Sequence, residues 1–292
     1  MPESSTLIEI SNLHFAYGDR HVLRGIDLII PRGRIVGILG VSGAGKSTLL
    51  RLIGGQLRPQ QGYVRFDGKI VHELDDAGLY RLRREIGMMF QAGGLFSDIS
   101  VYDNIAFPMR ELTDLPEEVI HDLVLMKLHA VGLRGASQLM PNELSGGMAR
   151  RVALARAIAL DPVLTIYDEP FAGLDPISLN VIARLIRRLN DALSATSIVV
   201  TYDVMETLNV VDYAYFIHDG VVVAGGTPEE LRNLADPAVH QFIHAKPDGP
   251  VAFHYPAAPF ARDLRLAVWT PPTRNQPHAA VCKTSSPQSE SR

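Results

Sequence analysis

One octapeptide constrains this chain more than anything else in it. Gly40-Val41-Ser42-Gly43-Ala44-Gly45-Lys46-Ser47 fits the pattern G-x-x-x-x-G-K-[ST]. The short apolar run Arg34 to Leu39 precedes it, and Lys46 to Ile53 follows with helical spacing. Strand, tight loop and helix start make a cradle in which several backbone N–H groups and a helix dipole converge on one anion. An α/β fold with a buried strand presents a loop in this way. Gly40, Ser42, Gly43, Ala44, Gly45, Lys46, Ser47 and Thr48 are therefore the expected phosphate-binding residues. In such a loop the lysine places a point charge at the β- and γ-phosphates, and the serine hydroxyl ligates Mg²⁺.

A second signal lies downstream. The apolar stretch Val163 to Tyr167 reads as a strand that ends in Asp168-Glu169. A carboxylate at the C-terminal end of a parallel strand, beside a phosphate loop, is where Mg²⁺ is held. Asp168 is expected to hold the metal through water. Glu169 is expected to polarise the attacking water as general base. An acidic exit from a strand is the plainer alternative for the pair taken alone.

The rest of the chain agrees with a mainly parallel sheet. Leu7 to Ile10, Val22 to Ile30 and Arg34 to Leu39 read as strands. Leu79 to Arg84, Val101 to Phe107, Pro116 to Val131 and Gly147 to Leu160 read as helices. Strands and helices then alternate: a helix over Pro176 to Leu193, a strand over Thr196 to Thr201, a short helix over Val204 to Val210, a strand over Tyr213 to Ile217. Thr227-Pro228-Glu229-Glu230 carries three helix-start cues: a capping threonine, proline in the first turn, and a glutamate three residues after the cap. Of the 19 prolines, 8 fall in residues 246–292, and the final part from Thr270 is expected to be disordered.

Composition excludes several classes. The net charge of -4 leaves no global basic field for nucleic acid, so no nucleic-acid partner is expected. The single Cys282 excludes an internal disulfide framework and a cysteine zinc cluster. The mean hydropathy of +0.08 is high, but no apolar run approaches the roughly 20 residues of a membrane span. The N-terminal residues have neither a basic region nor a long apolar run, so a signal peptide is not expected.

Leu144-Ser145-Gly146-Gly147-Met148 opens an amphipathic helix and resembles the LSGGQ signature of ABC-transporter ATPases, with Met148 in place of Gln. Together with the phosphate loop, Gln91 after the strand Ile86 to Phe90, and the loop Ala172-Gly173-Leu174-Asp175, the order resembles a complete ABC nucleotide-binding domain over residues 5–245. The resemblance implies an α/β P-loop ATPase with a mainly parallel core sheet, an N-terminal antiparallel β subdomain and a helical subdomain at about 92–160. It implies ATP and Mg²⁺, and a head-to-tail dimer of two copies with ATP at the interface. Tyr17 would stack on adenine; an ordinary strand-end tyrosine is the alternative. Lys46 and Gln91 would join Glu169 in catalysis, with Gln91 also at the metal. Ser145, Gly146 and Gly147 would reach the γ-phosphate of the partner copy, and Asp175 would cross the interface. The chain departs from the family pattern at Tyr202, where a histidine normally touches the γ-phosphate. A phenol offers one hydrogen bond but does not titrate near neutral pH as imidazole does. Reduced hydrolysis is the expectation, with an adapted site and an ATP-binding but stalled subunit as alternatives.

Three segments resemble the Mla-type lipid-transporter ATPases: Phe90 to Asp98, Ala106-Phe107-Pro108 with Leu115 to Glu118, and the tail Pro247 to Pro256. This resemblance implies phospholipid movement between inner and outer membranes. Implied partners are an integral-membrane permease, a periplasmic lipid-binding subunit and a small cytoplasmic accessory subunit. The implied place is the cytoplasmic face of the inner membrane. The permease is expected to dock on Gly93 to Met109, with internal core as the alternative for the apolar residues of that segment. By the same resemblance the extension at 246–269 is expected to strap the dimer, with an unstructured tail as the alternative, ahead of the tail at 270–292. An amino-acid importer ATPase is the nearest alternative within transporters; repair or translation ATPases and a metabolite kinase are more distant.

Overall fold

A computed structural model describes residues 6–91, 93–250 and 260–264. By its contacts the chain divides into two units, 1–251 and 252–292.

The first unit is built on two sheets. β1 (Thr6–Tyr17), β2 (Arg20–Pro31), β4 (Gln61–Phe66) and β5 (Lys69–Ile70) form an antiparallel sheet in the order β2-β1-β4-β5. Alternation along β2 sends Leu23, Ile26, Leu28 and Ile30 inward, as a sheet with one solvated face requires. β3 (Ile35–Leu39) belongs to the other sheet. All of its residues are buried, the pattern of a strand covered on both faces. That sheet runs β10-β9-β3-β8-β7-β6, with β6 (Ile86–Met89), β7 (Leu164–Asp168), β8 (Thr196–Thr201), β9 (Tyr213–His218) and β10 (Val221–Gly226). Every pairing from β9 to β6 is parallel; only β10 is antiparallel to its neighbour. The mainly parallel core and the antiparallel N-terminal sheet are both as expected.

Two apolar cores hold these layers. One joins the inner face of the antiparallel sheet to β3 and to α1 (Lys46–Ile53), through Leu13, Leu23, Ile26, Val36, Ile38 and Leu49. The other joins the opposite face of the parallel sheet to the helical part, α3 (Val101–Leu112), α4 (Glu117–Ala130) and α5 (Gly146–Ala157), and to α6 (Pro176–Leu193). α2 (Asp76–Arg84) leads into β6.

The expected helices over Lys46 to Ile53 and Pro176 to Leu193 and the strand over Thr196 to Thr201 have the expected bounds. α7 (Val204–Thr207) is shorter than expected, because the chain turns after Leu208. α8 (Pro228–Arg232) has the expected capping box: Thr227 Oγ1 accepts from Glu230 N, and Glu230 Oε2 accepts from Thr227 N. α9 (Pro237–Ile243) follows it. Among its described residues the second unit has one short helix, α10 (Phe260–Asp263). Most of the expected strap at 246–269 and all of the expected tail at 270–292 lie outside the described residues. No helix among the described residues is long and apolar enough to cross a membrane.

Candidate nucleotide-binding site

The site sits at the C-terminal ends of the parallel strands. β3 ends at Leu39, the phosphate loop follows, and α1 begins at Lys46. Gly40 is obligatory for contact reasons: a Cβ there would lie 2.2 Å from the Ile217 carbonyl oxygen on β9. Ala44 N donates to the Val41 carbonyl at 3.2 Å and closes the loop. Lys46 is buried, and its Nζ donates to the carbonyls of Gly40 at 2.8 Å and Val41 at 3.2 Å.

The carboxylates arrive from the neighbouring strands. β3 pairs with β8, and β8 pairs with β7, so Asp168 at the end of β7 and Glu169 beside it face the loop. Glu169 has φ of 48°, a left-handed conformation that non-glycine residues rarely adopt and that clusters at functional sites. Its N donates to the Val200 carbonyl at 2.7 Å, which fixes the turn. Its Oε1 lies 3.8 Å from Lys46 Nζ, and its Oε2 accepts from Tyr202 N at 3.3 Å. Burial raises the carboxyl pKa of Glu169; the Thr201 hydroxyl and Lys46 oppose it. Burial also raises Asp168, again against Lys46. Lys46 itself is lowered by burial, with Glu169 and Asp168 pulling the other way.

Tyr17, Ser42, Gly43, Gly45, Lys46, Ser47, Thr48, Gln91, Asp168, Glu169 and Tyr202 all line one cleft of about 330 Å³. Gly40 and Ala44 lie behind its wall, Gly40 lending its carbonyl to Lys46 and Ala44 buried. Tyr17 stands edge-on to Phe15, with ring centroids 4.9 Å apart, and keeps 44% of its surface exposed. Tyr202, at the edge of the cleft, is 45% exposed, and its N–H is tied to Glu169. Arg20 and Val22 also line the cleft and were not expected. The available signal was the Gly18-Asp19 turn, which pairs Tyr17 with Arg20 across a hairpin. Ser47, Gln91 and Asp168 present a hydroxyl, an amide oxygen and a carboxylate, the hard oxygen donors that Mg²⁺ takes.

Ser145, Gly146, Gly147 and Asp175 do not line this cleft. Ser145 caps α5, its Oγ accepting from Met148 N at 3.3 Å. Asp175 caps α6, its Oδ1 accepting from Ile177 N and Ser178 N at 3.0 Å. The two helix starts adjoin, since a Cβ on Gly147 would lie 2.8 Å from Ser178 Oγ. The phosphate loop and the Ser145 helix start thus lie on two separate surfaces.

A phosphate loop, a strand-end carboxylate pair, a separate LSGG helix start and two sheets of this topology define an ABC-type nucleotide-binding domain. The profile of the ABC transporter family matches residues 23–172, and the chain belongs to that family. It is 56% identical over 261 residues to the intermembrane phospholipid transport system ATP-binding protein MlaF of Haemophilus influenzae, covering 89% of this chain and 99% of that one. CbiO1 of Clostridium perfringens, part of the ABC transporter complex cbiONQ, has a TM-score of 0.74 at 32% identity, over 83% of this chain and 96% of that one. The ATP-binding cassette MJ0796, seen as a dimer in a post-hydrolysis state bound to ADP and Pi, has a TM-score of 0.69 at 30% identity. That match spans 76% of this chain and 99% of MJ0796.

Proposed function

We propose that this chain is the ATP-hydrolysing subunit of an intermembrane phospholipid transport system. The carrying observation is the MlaF likeness, which runs through 99% of that relative and so extends beyond the matched family profile.

The residues of the cleft fit the chemistry. The loop N–H groups and Lys46 hold the β- and γ-phosphates of ATP. Lys46 exchanges its bonds to Gly40 and Val41 for phosphate oxygens. Ser47, Gln91 and, through water, Asp168 hold Mg²⁺, which neutralises charge on the phosphates when bound. Glu169 takes the proton of the attacking water, and its fixed backbone aims the carboxylate at that position. Tyr202 donates a hydrogen bond toward the γ-phosphate. Tyr17 packs on the adenine.

The Ser145 to Gly147 surface is unused in one copy. In a head-to-tail dimer it closes over the nucleotide of the second copy, with Asp175 beside it. The membrane partner is a separate permease, which seats in an apolar groove of about 520 Å³ beside the Gln91 loop, lined in part by Phe90, Phe96, Phe107 and Pro108. A periplasmic lipid-binding subunit and a small accessory subunit complete the complex, and this chain sits peripherally on the cytoplasmic face of the inner membrane.

The test is ATP hydrolysis and lipid transfer by the chain co-expressed with its permease and reconstituted in phospholipid vesicles. Glu169→Gln is expected to lower turnover by about 100-fold or more while ATP still binds. Turnover without lipid transfer would leave the ATPase and remove the phospholipid assignment.

A further inference from the structure

Two arginines on α5, Arg150 and Arg156, do not line the nucleotide cleft, although Arg156 also borders the groove beside the Gln91 loop. Both are partly buried, and neither has a carboxylate within ion-pair distance among the described residues. Burying a guanidinium without an anion is costly unless other groups satisfy its donors. Here the acceptors are backbone carbonyls of the loops around the nucleotide cleft. Arg150 Nη2 donates to the Ala172 carbonyl at 3.2 Å, in the loop between Glu169 and Asp175. Its Nη1 makes a long contact of 3.5 Å to the carbonyl of Phe90, the residue before Gln91. Arg156 Nη2 donates to the Gly93 carbonyl at 3.1 Å on the other side of Gln91. Its guanidinium also lies 5.7 Å from the Phe96 ring centroid.

The loop runs close against Arg156 and its helix. Gly93 and Gly94 both have positive φ. A Cβ on Gly93 would meet Ala153 of α5 at 3.7 Å, and one on Gly94 would meet Arg156 Nη2 at 3.3 Å. The backbone therefore lies directly on α5.

We infer that Arg150 and Arg156 are positioning residues that anchor both flanks of Gln91, and the loop after Glu169, to the helix whose start carries Ser145 to Gly147. Gln91 contacts the nucleotide, and α5 carries the surface offered to the second copy. The arginines make the geometry of one depend on the other. Neither arginine lines the nucleotide cleft. Burial disfavours the charged form of both guanidinium groups, and Tyr202 opposes this at Arg150, consistent with cations held by dipoles rather than anions.

This inference rests on the ATPase assignment for its catalytic part, so two readouts are needed. The first is amide hydrogen exchange in the nucleotide-free full chain. Arg156→Ala should speed exchange in residues 93–96, Arg150→Ala should speed it in the loop 170–175 that holds Ala172, and both should leave α1 unchanged. The second is the permease-bound complex. Each variant should lower kcat by about tenfold, the worth of one charge-assisted hydrogen bond, with ATP affinity unchanged. Arg150→Lys should recover part of the loss, because an ammonium reaches one carbonyl but cannot fork to two. Unchanged exchange overturns the anchoring. A fall in ATP affinity matching the fall in kcat, or no rescue by lysine, overturns the positioning role. The unaltered complex run alongside Glu169→Gln isolates the premise: no turnover above that of Glu169→Gln overturns the ATPase assignment, while the exchange data still judge the anchor.

Discussion

Glu169 occupies the most demanding position in the molecule. Its carboxylate is buried, its backbone is left-handed, and its neighbours Lys46 and Tyr202 hold it from two sides. A general base works only when deprotonated. Because burial raises its pKa, activity should be lost as pH falls through a value above the ordinary glutamate range. The kcat–pH profile of the complex checks this; an acid limb at the ordinary carboxylate value would refute it. Tyr202 is the other test at this scale. Tyr202→His should raise ATP turnover by about tenfold, equal to ~1.4 kcal/mol from one better-placed hydrogen bond. Equal rates would show that the tyrosine serves as well. Most of this site was legible beforehand: eleven expected residues line one cleft. Arg20 was not, because an exposed arginine after a turn carries no chemical signature until the hairpin brings it beside Tyr17.

At the scale of elements, the helical part depends on one buried amide. Asn104 on α3 has no exposed surface. Its Oδ1 accepts from Phe96 N at 2.8 Å, and its Nδ2 donates to the carbonyls of Phe96, Ile99 and Ser100. The segment before α3 has no regular structure, so this side chain supplies the hydrogen bonds that a ladder would. Asn104→Ala should cost about 2–3 kcal/mol, since several buried polar groups lose their partner. Chemical denaturation should show a lower midpoint with an unchanged slope. Nothing in local periodicity marks Asn104, which reads as a polar residue on an amphipathic helix. β4 is equally silent. Only Val64 and Phe66 of its six residues are buried, and it becomes a strand by pairing with β1. By contrast the capping box at Thr227 and the apolar run of β3 are local signals, and both have the expected outcome.

The whole molecule presents one phosphate loop and one LSGG helix start on separate surfaces. A complete site in the proposed reading needs two copies. Glu169→Gln, which should bind ATP without consuming it, is expected to shift the chain from monomer to dimer when ATP and Mg²⁺ are added. Light scattering checks this, and a monomer at saturating ATP would count against the head-to-tail reading. Ending the chain after Lys246 should weaken that dimer if the 246–269 extension straps it; an unaltered dimer would remove the strap.

The sequence alone marked the candidate residues of the cleft and the alternation of strands and helices that makes a mainly parallel sheet. Both rest on local rules: glycines where backbone must turn or approach, a lysine at a helix start, apolar runs of strand length, carboxylates at a strand end. The tertiary structure decided which motifs share a surface. Gln91, Asp168 and Tyr202 are far apart in sequence and meet because β6, β7 and β8 are parallel neighbours. Ser145 and Asp175 adjoin each other outside that cleft because α5 packs beside the start of α6. Sheet order and helix packing are long-range choices set by the burial of whole faces, and no local pattern encodes them.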